Sequence, residues 1–401
     1  MRGGQVRMKV LVVSHLYPSP GVERHLFVHE QILALRDLGV EARVVSPTPW
    51  APRLLWRDPR QRRRGEKPRS AVRDGVVAEY PRMLQLPRRL MMDRLGDLAY
   101  LHLRRLPSLA GECDLIHAHQ ALPDGALAQR LAADLDVPYV ITVHGADVYQ
   151  HLPGGGSIAR RTASVLGGAD AVMANSSAVA QLLADVVPAE RLSVVLNGTT
   201  GLGEEAPPAS DFLPGVPLVL TVGYLIQRKG VGYLIEAIAR VRRRGSPVQL
   251  AIVGDGPLRA ALETQSDRLG ISDAVHFLGR LPHARVLALM ARAEIFALAS
   301  WDEAFGLVYT EAMGQGRPVI AGKGEGPEDF IINGESGFLV PPRDVEALAT
   351  TIAAVLDDRD TAALVGSAGR SAALELDWRR NARLTRLVYE GALAEHAKRG
   401  R

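Results

Sequence analysis

The feature that most restricts the fold is a unit that recurs, stops, and starts again. Each unit is an apolar run of strand length, a loop rich in Gly, Pro or polar residues, and an amphipathic stretch. Residues 8–14 (MKVLVVS), 41–47 (EARVVSP), 113–118 (CDLIHA), 137–142 (VPYVIT), 169–174 (ADAVMA) and 192–196 supply the first series of runs. Strands that are apolar on both faces belong in parallel sheets covered by helices. Residues 201–217 (GLGEEAPPASDFLPGVP) carry Gly, Pro and acid without periodicity and read as a linker. The pattern then restarts with strands at 218–222, 249–253, 275–279 and 297–300 and a helix at 232–244. A restarted series argues for a second doubly wound α/β domain rather than one enlarged sheet. The boundary is expected near 203/204, and 401 residues suit two domains of ordinary size.

Composition removes several classes. Apolar residues make up 47% of the chain, enough for full cores. The single cysteine, Cys113, excludes an internal disulfide. The apolar run at 10–13 is too short for a signal sequence, and no run approaches the ~20 residues of a membrane span. A cytoplasmic protein is expected, with Met8 a candidate natural start. Net charge is mild, 48 Lys/Arg against 44 Asp/Glu, but residues 51–110 hold fifteen Lys/Arg against six Asp/Glu. Arg60, Arg62, Arg63, Arg64, Lys67 and Arg69 lie there, with Trp50 and Trp56 before them and Leu84, Leu86, Leu90, Met91 and Met92 after. Such a mixture suits an interfacial helix on an anionic membrane surface. Core packing of the apolar residues and a solvated basic loop are the competing readings. No nucleic-acid partner is expected.

Residues 297–320 (ALASWDEAFGLVYTEAMGQGRPVI) carry the densest chemistry. An apolar strand empties into a loop with Glu303, Phe305 and Gly306; a helix with Glu311 in its opening turns follows. A helix N-terminus at the carboxyl end of a strand is a seat for phosphate, and two carboxylates beside it suit hydroxyls. Glu303 and Glu311, with seven residues between them that include Phe305-Gly306, resemble the signature of retaining glycosyltransferases of family 4, which have the GT-B fold: two Rossmann-like doubly wound domains facing a central cleft. The loop 223–230 (GYLIQRKG) puts Arg228 and Lys229 between a strand and a helix, where Arg grips phosphate bidentately and Lys adds a point charge.

The resemblance implies roles residue by residue. Arg228 and Lys229 would bind the donor diphosphate and stabilise the leaving group. Glu303, with backbone N–H groups near Phe305, Gly306 and Leu307, would orient hexose hydroxyls, and Glu311 would hold the ribose. The strand exit at Gly279 and Arg280 would meet the base. In the first half, Gly21 lies in a turn-rich loop after the first strand and would let backbone approach phosphate. His144-Gly145-Ala146-Asp147 resembles the family segment beside the transferred sugar, so His144 is a catalytic candidate, with His119 and Asp147 in the sugar or acceptor cleft. His117, His119 and His144 invite a metal reading, but no spacing typical of a zinc site occurs, and no metal or other cofactor is expected. Tyr17-Pro18 and Phe27-Val28-His29-Glu30-Gln31 resemble the branch of teichuronic-acid and cell-surface polysaccharide transferases. The closing segment from Trp378 resembles the GT-B helix that returns to the N-terminal domain. The implied division is thus 1–203 with 378–401 as acceptor domain and 204–377 as donor domain.

These features lead to an expected enzyme that moves a hexose from a nucleotide-diphosphate sugar, UDP preferred over GDP. Its acceptor would be a lipid-linked or other glycan precursor, met at the inner face of the plasma membrane if the basic segment binds there. A hydrolysing nucleotide-sugar epimerase of GT-B fold is the alternative enzyme. A non-catalytic binding protein would be expected to lose the motif carboxylates and cations, and all are present.

Overall fold

The apolar runs become parallel strands in two separate sheets of the computed structural model, which describes residues 8–20, 26–50, 68–84, 91–104, 112–199 and 215–399. The chain divides into one unit of Met1–Gly198 with Trp378–Arg401 and another of Thr199–Asp377. Gly21, Trp56, the basic run at 57–67, Leu86, Leu90 and the linker residues 200–214 lie outside the described residues.

In the first unit, β1 (Met8–Val13) leads to helix α1 (Leu26–Asp37) and β2 (Val40–Val45). Strand β3 (Thr48–Trp50) and the hairpin β4 (Ser70–Arg73) and β5 (Val76–Glu79) come next, then β6 (Arg82–Leu84) and α2 (Leu95–Leu103). Strand β7 (Leu115–His119), α3 (Ala126–Leu135), β8 (Tyr139–Val143) and α4 (Gly156–Gly167) continue the alternation. It ends with β9 (Ala171–Ala174), α5 (Ser177–Leu183) and β10 (Leu192–Val194). Ser176 caps α5 by accepting the Val179 N–H at 3.2 Å. The strand order is β10-β9-β8-β7-β1-β2-β5-β4, and β3 pairs with β6 separately.

Two local features have physical causes. The segment 70–79, within the basic stretch, is a hairpin: Asp74 (φ 48) and Gly75 (φ 79) are both left-handed, as a type I′ turn requires, and Asp-Gly is its usual sequence. The helical backbone that leads into α3 begins at Pro123, because Leu122 before it is extended (φ −125, ψ 131), as residues before proline prefer.

The second unit is all parallel. Its strands are β11 (Leu218–Val222), β12 (Gln249–Val253), β13 (Val275–Gly279), β14 (Ile295–Leu298), β15 (Val319–Gly322) and β16 (Phe338–Val340). Helices α6 (Val231–Arg243), α7 (Arg259–Arg268), α8 (His283–Arg292), α9 (Leu307–Gly314), α10 (Val345–Asp357) and α11 (Arg359–Glu375) accompany them. The order is β13-β12-β11-β14-β15-β16. A buried core of Leu234, Ile235 and Ile238 from α6 packs with Leu250 and Ile252 of β12.

Helix α12 (Trp378–Arg399) belongs to the first unit. Two of its buried polar side chains find partners there: Asn381 accepts from Gln31 Nε2 at 2.7 Å and donates to the Leu196 carbonyl at 2.8 Å. Tyr389 Oη meets His117 Nδ1 at 2.8 Å.

Both sheets reverse their direction of growth beside their first strand. In the first, β1 lies between β2 and β7; in the second, β11 lies between β12 and β14. Open α/β sheets bind ligands at the carboxyl ends of strands flanking such a reversal.

Candidate functional site

At the reversal in the second unit, the loops after β11 and β14 meet. Gly223–Ile226 leads to a single turn, Gln227–Lys229, and Gly230, in the left-handed region (φ 67), passes the chain into α6. From the other side, Trp301 N–H donates to the Arg228 carbonyl at 3.0 Å, and Arg228 Nη1 donates to the Asp302 carbonyl at 3.0 Å. Lys229 Nζ forms an ion pair with Glu303 Oε2, both side chains being largely covered at 13% and 9% exposure. The same carboxylate oxygen accepts from Ser300 Oγ at 3.0 Å, and Ser300 Oγ meets Tyr309 Oη at 2.9 Å. The Glu303 N–H donates to Glu325 Oε2 at 2.8 Å.

Charges here are set by competing effects. Burial would raise the Glu303 pKa, but the Lys229 ammonium overcomes it, aided by Arg228 and the Ser300 hydroxyl, and the group stays below its ordinary value. Glu325 is raised by burial, an effect that hydrogen bonds from the Glu303 and Asp302 backbone only partly offset. The site therefore holds an ionised acid gripped by one cation, with a second cation hydrogen-bonded to a backbone carbonyl.

The other residues singled out in this unit divide by surroundings. Glu311, on α9, pairs with His283 Nε2 at 3.1 Å, apart from the Lys229–Glu303 pair. Phe305 is 2% exposed and packs on Phe330 with ring centroids 5.0 Å apart. Only its backbone is therefore placed to serve a ligand. Gly306 has φ 82, and a Cβ there would lie 2.4 Å from the Tyr309 ring, so the entry to α9 needs glycine. Leu307 opens α9 half-buried. Gly279 ends β13 and its carbonyl accepts from Gly254 N–H at 2.7 Å, while Arg280 is exposed. Gly254 (φ 131) lies so near the loop after β11 that a Cβ would fall 1.8 Å from the Gly223 oxygen.

At the reversal in the first unit, the loops after β1 and β7 meet through His15 and Asp124. Asp124 accepts from the His15 backbone N–H at 3.0 Å and contacts His15 Nδ1 at 2.7 Å. Burial raises the Asp124 pKa, and the His15 ring and backbone pull against that rise. Beside them, His119 Nδ1 and His144 Nε2 are 2.9 Å apart, and Phe27 lies 4.8 Å from the His144 ring. His119 is 1% exposed; His144 is half-buried. Asp147 is wholly buried: one carboxylate oxygen accepts from Ala121 N–H at 3.0 Å and the other has no hydrogen-bond partner. His117 bridges Thr142 Oγ1 and Tyr389 Oη, each at 2.8 Å, and burial lowers its pKa to about 3.

Ser300, Tyr309, Glu325, His283, His15 and Asp124 were not singled out by sequence reasoning. His15–Asp124 spans 109 positions and Lys229–Glu303 spans 74. The place of His15 two residues after β1 was a usable signal, as was His283 at the start of α8. Among the described residues, no group of three or more His, Cys, Asp or Glu is arranged to hold a metal ion, and no helix is long and apolar enough to cross a membrane.

Comparison with known proteins covers both units. Residues 21–200 match the model of Glycosyltransferase Family 4, and residues 204–372 match that of Glycosyl transferases group 1. A Mycobacterium tuberculosis protein named glycogen synthase is 30% identical over 407 aligned residues, covering 96% of this chain and 95% of the relative. TuaC of Bacillus subtilis, named as a teichuronic acid biosynthesis glycosyltransferase, is 29% identical, covering 86% and 88% respectively. A Mycolicibacterium smegmatis protein named as a GDP-mannose-dependent phosphatidylinositol monomannoside mannosyltransferase is 38% identical over 43% of this chain and 47% of its own. Among solved structures, Anabaena HepE in complex with UDP and glucose superposes with a TM-score of 0.71 at 22% identity, covering 96% of this chain and 100% of that one.

Proposed function

This chain belongs to the family 4 glycosyltransferases, enzymes of GT-B fold that use nucleotide sugars, and on that premise we propose that it transfers a hexose with retention of anomeric configuration from a UDP-sugar to a glycan or lipid-linked acceptor. The observation that carries the reading is the cluster of Arg228, Lys229 and Glu303 at the sheet reversal of the second unit. Two cations there suit a diphosphate, and the carboxylate between Lys229 and Ser300 suits a sugar hydroxyl.

In this mechanism the bond between the anomeric carbon and the diphosphate oxygen breaks as Arg228 and Lys229 neutralise the charge gathering on the leaving group. The acceptor oxygen bonds to the same face of the anomeric carbon, and its proton passes to the departing phosphate oxygen. No metal is needed for that charge balance. Glu303 orients hexose hydroxyls and Glu311 accepts from the ribose diol, displacing His283. His144 lines the sugar site, and Gly279 with Arg280 borders the base. UDP rather than GDP is supported by the ligand named for the HepE structure; the GDP-mannose enzyme among the relatives is the contrary case.

The acceptor reading draws on the polysaccharide relative and on the basic stretch. Within that stretch, Leu98 and Leu101 are 41% and 61% exposed on one face of α2, an apolar surface suited to the cytoplasmic leaflet. Incubation with a panel of UDP- and GDP-sugars, with product stereochemistry followed by proton NMR, tests the reading. An α-linked product from an α-linked donor is expected. Donor converted to an epimer without any acceptor would replace transfer by epimerisation, and flotation with anionic liposomes that fails at low salt would remove the membrane part.

A further inference from the structure

The contact between His119 and His144 fixes more than position. Their ring planes are within 2° of parallel with centroids 5.2 Å apart, while Nδ1 of His119 and Nε2 of His144 approach to 2.9 Å. A centroid separation that exceeds the nitrogen separation by this much puts the contact edge to edge within a shared plane. That is the arrangement of an N–H pointing at a nitrogen lone pair, not of face-to-face stacking. One ring donates and the other accepts, so choosing the donor chooses both tautomers.

The far edge of His119 makes the choice. His119 is 1% exposed, and its Nε2 has no hydrogen-bond partner. Burial holds the ring well below its ordinary pKa, reinforced by His117, His144 and His15, so it carries one proton. Were that proton on Nε2, a buried N–H would be left without an acceptor. Were it on Nδ1, only a lone pair would be left over, which proteins tolerate more readily than an orphaned donor. The His117 ring, 4.4 Å from His119 by centroids, offers nothing at that edge, since its nitrogens already meet Thr142 and Tyr389.

We infer that His119 is a positioning residue: it donates from Nδ1 to His144 Nε2 and so locks His144 in the tautomer that carries its proton on Nδ1. Isolated histidine prefers the opposite tautomer, so the buried partner reverses the intrinsic preference. An oxygen that meets His144 Nδ1 then accepts a hydrogen bond. His144 serves the reaction as a donor to a sugar or phosphate oxygen and not as the base that takes the acceptor's proton. The functional half of this statement rests on the transfer reaction proposed above; the tautomer itself does not.

The direct test is long-range proton–nitrogen correlation NMR on the full chain labelled with 15N-histidine. The His144 signals are assigned by their loss in His144→Gln. The expected result is a His144 ring with Nδ1 protonated and Nε2 bare at neutral pH, reverting to the Nε2-protonated form in His119→Leu. His119→Asn, whose amide nitrogen can stand where Nδ1 stands, should keep the wild-type tautomer. It should also hold turnover within a few-fold, while His119→Leu loses at least tenfold in kcat with a smaller change in KM. A wild-type His144 protonated on Nε2, or a tautomer unchanged in His119→Leu, would overturn the inference. Absence of transfer with every sugar nucleotide, alongside the expected spectrum, would count against the reaction and leave the tautomer assignment standing.

Discussion

The two sheet reversals share a topology and differ in how they treat charge. At the β1/β7 reversal burial suppresses charge: His117 and His119 are pushed toward the neutral form and Asp124 is raised. At the β11/β14 reversal charge is kept and paired, with Lys229 holding Glu303 ionised against its burial. Topology decides where a site can form; the loop residues decide its chemistry. Buried neutral imidazoles behind His144 do not attract ions, which suits hydroxyls. A pair of cations with a fixed acid suits a diphosphate joined to a sugar.

The largest expected effect comes from removing that charge. Arg228→Ala with Lys229→Ala should lower kcat/KM for sugar transfer by at least about 1,000-fold, since single donors to a developing anion are worth roughly 100- to 1,000-fold. Near-normal turnover would erase the contrast between the two reversals. Next in size, Lys229→Met leaves Glu303 buried without its cation and should cost about 3 kcal/mol in urea unfolding at pH 7. The sign of the pH dependence should also change. In the wild type the lowered Glu303 pKa adds stability above the ordinary carboxylate range, lost as pH falls through the folded value. In the variant burial dominates and raises that pKa, so this group should favour folding as pH falls. Parallel pH profiles for the two proteins would contradict the assigned balance.

The neutral side has its own signature. His117 titrates near 3 when folded and near 6.5 when unfolded, so the unfolded chain binds the extra proton between those values. Stability should therefore fall as pH drops below about 6.5, by about 2 kcal/mol at pH 5 for this ring. His117→Gln should flatten that part of the acid limb, and an unchanged slope would show that the ring is not held neutral. The smallest effect is expected from Glu311→Gln, which should weaken nucleotide binding roughly tenfold, about 1.4 kcal/mol, with little change in thermal stability. Equal nucleotide affinity in calorimetry would remove the ribose role.

What could be read from the chain was local. The βα alternation, the restart after the linker, and the Glu303–Glu311 and Arg228-Lys229 pairs depend on spacing within a few turns. The capping of α5 by Ser176 is of the same kind. The Asp74-Gly75 hairpin was equally local and was obscured by the basic composition around it. What stayed hidden were choices of partner: Asp124 for His15, His283 for Glu311, and Ser300 and Tyr309 around Glu303. These depend on which strand ends become neighbours, and sheet order is not written in any short window of sequence. His119 shows the limit from the other side. Its type and place at a strand end marked it for the site, but only burial shows that it can act through His144.

The central claim is that the β11/β14 reversal holds the diphosphate of an activated sugar. Isothermal titration of UDP and of uridine into the wild type and into the Arg228→Ala, Lys229→Ala variant tests it most directly. The account predicts that UDP affinity falls at least 100-fold in the variant while the weak binding of uridine is unchanged. UDP binding equally tightly to both proteins would contradict it.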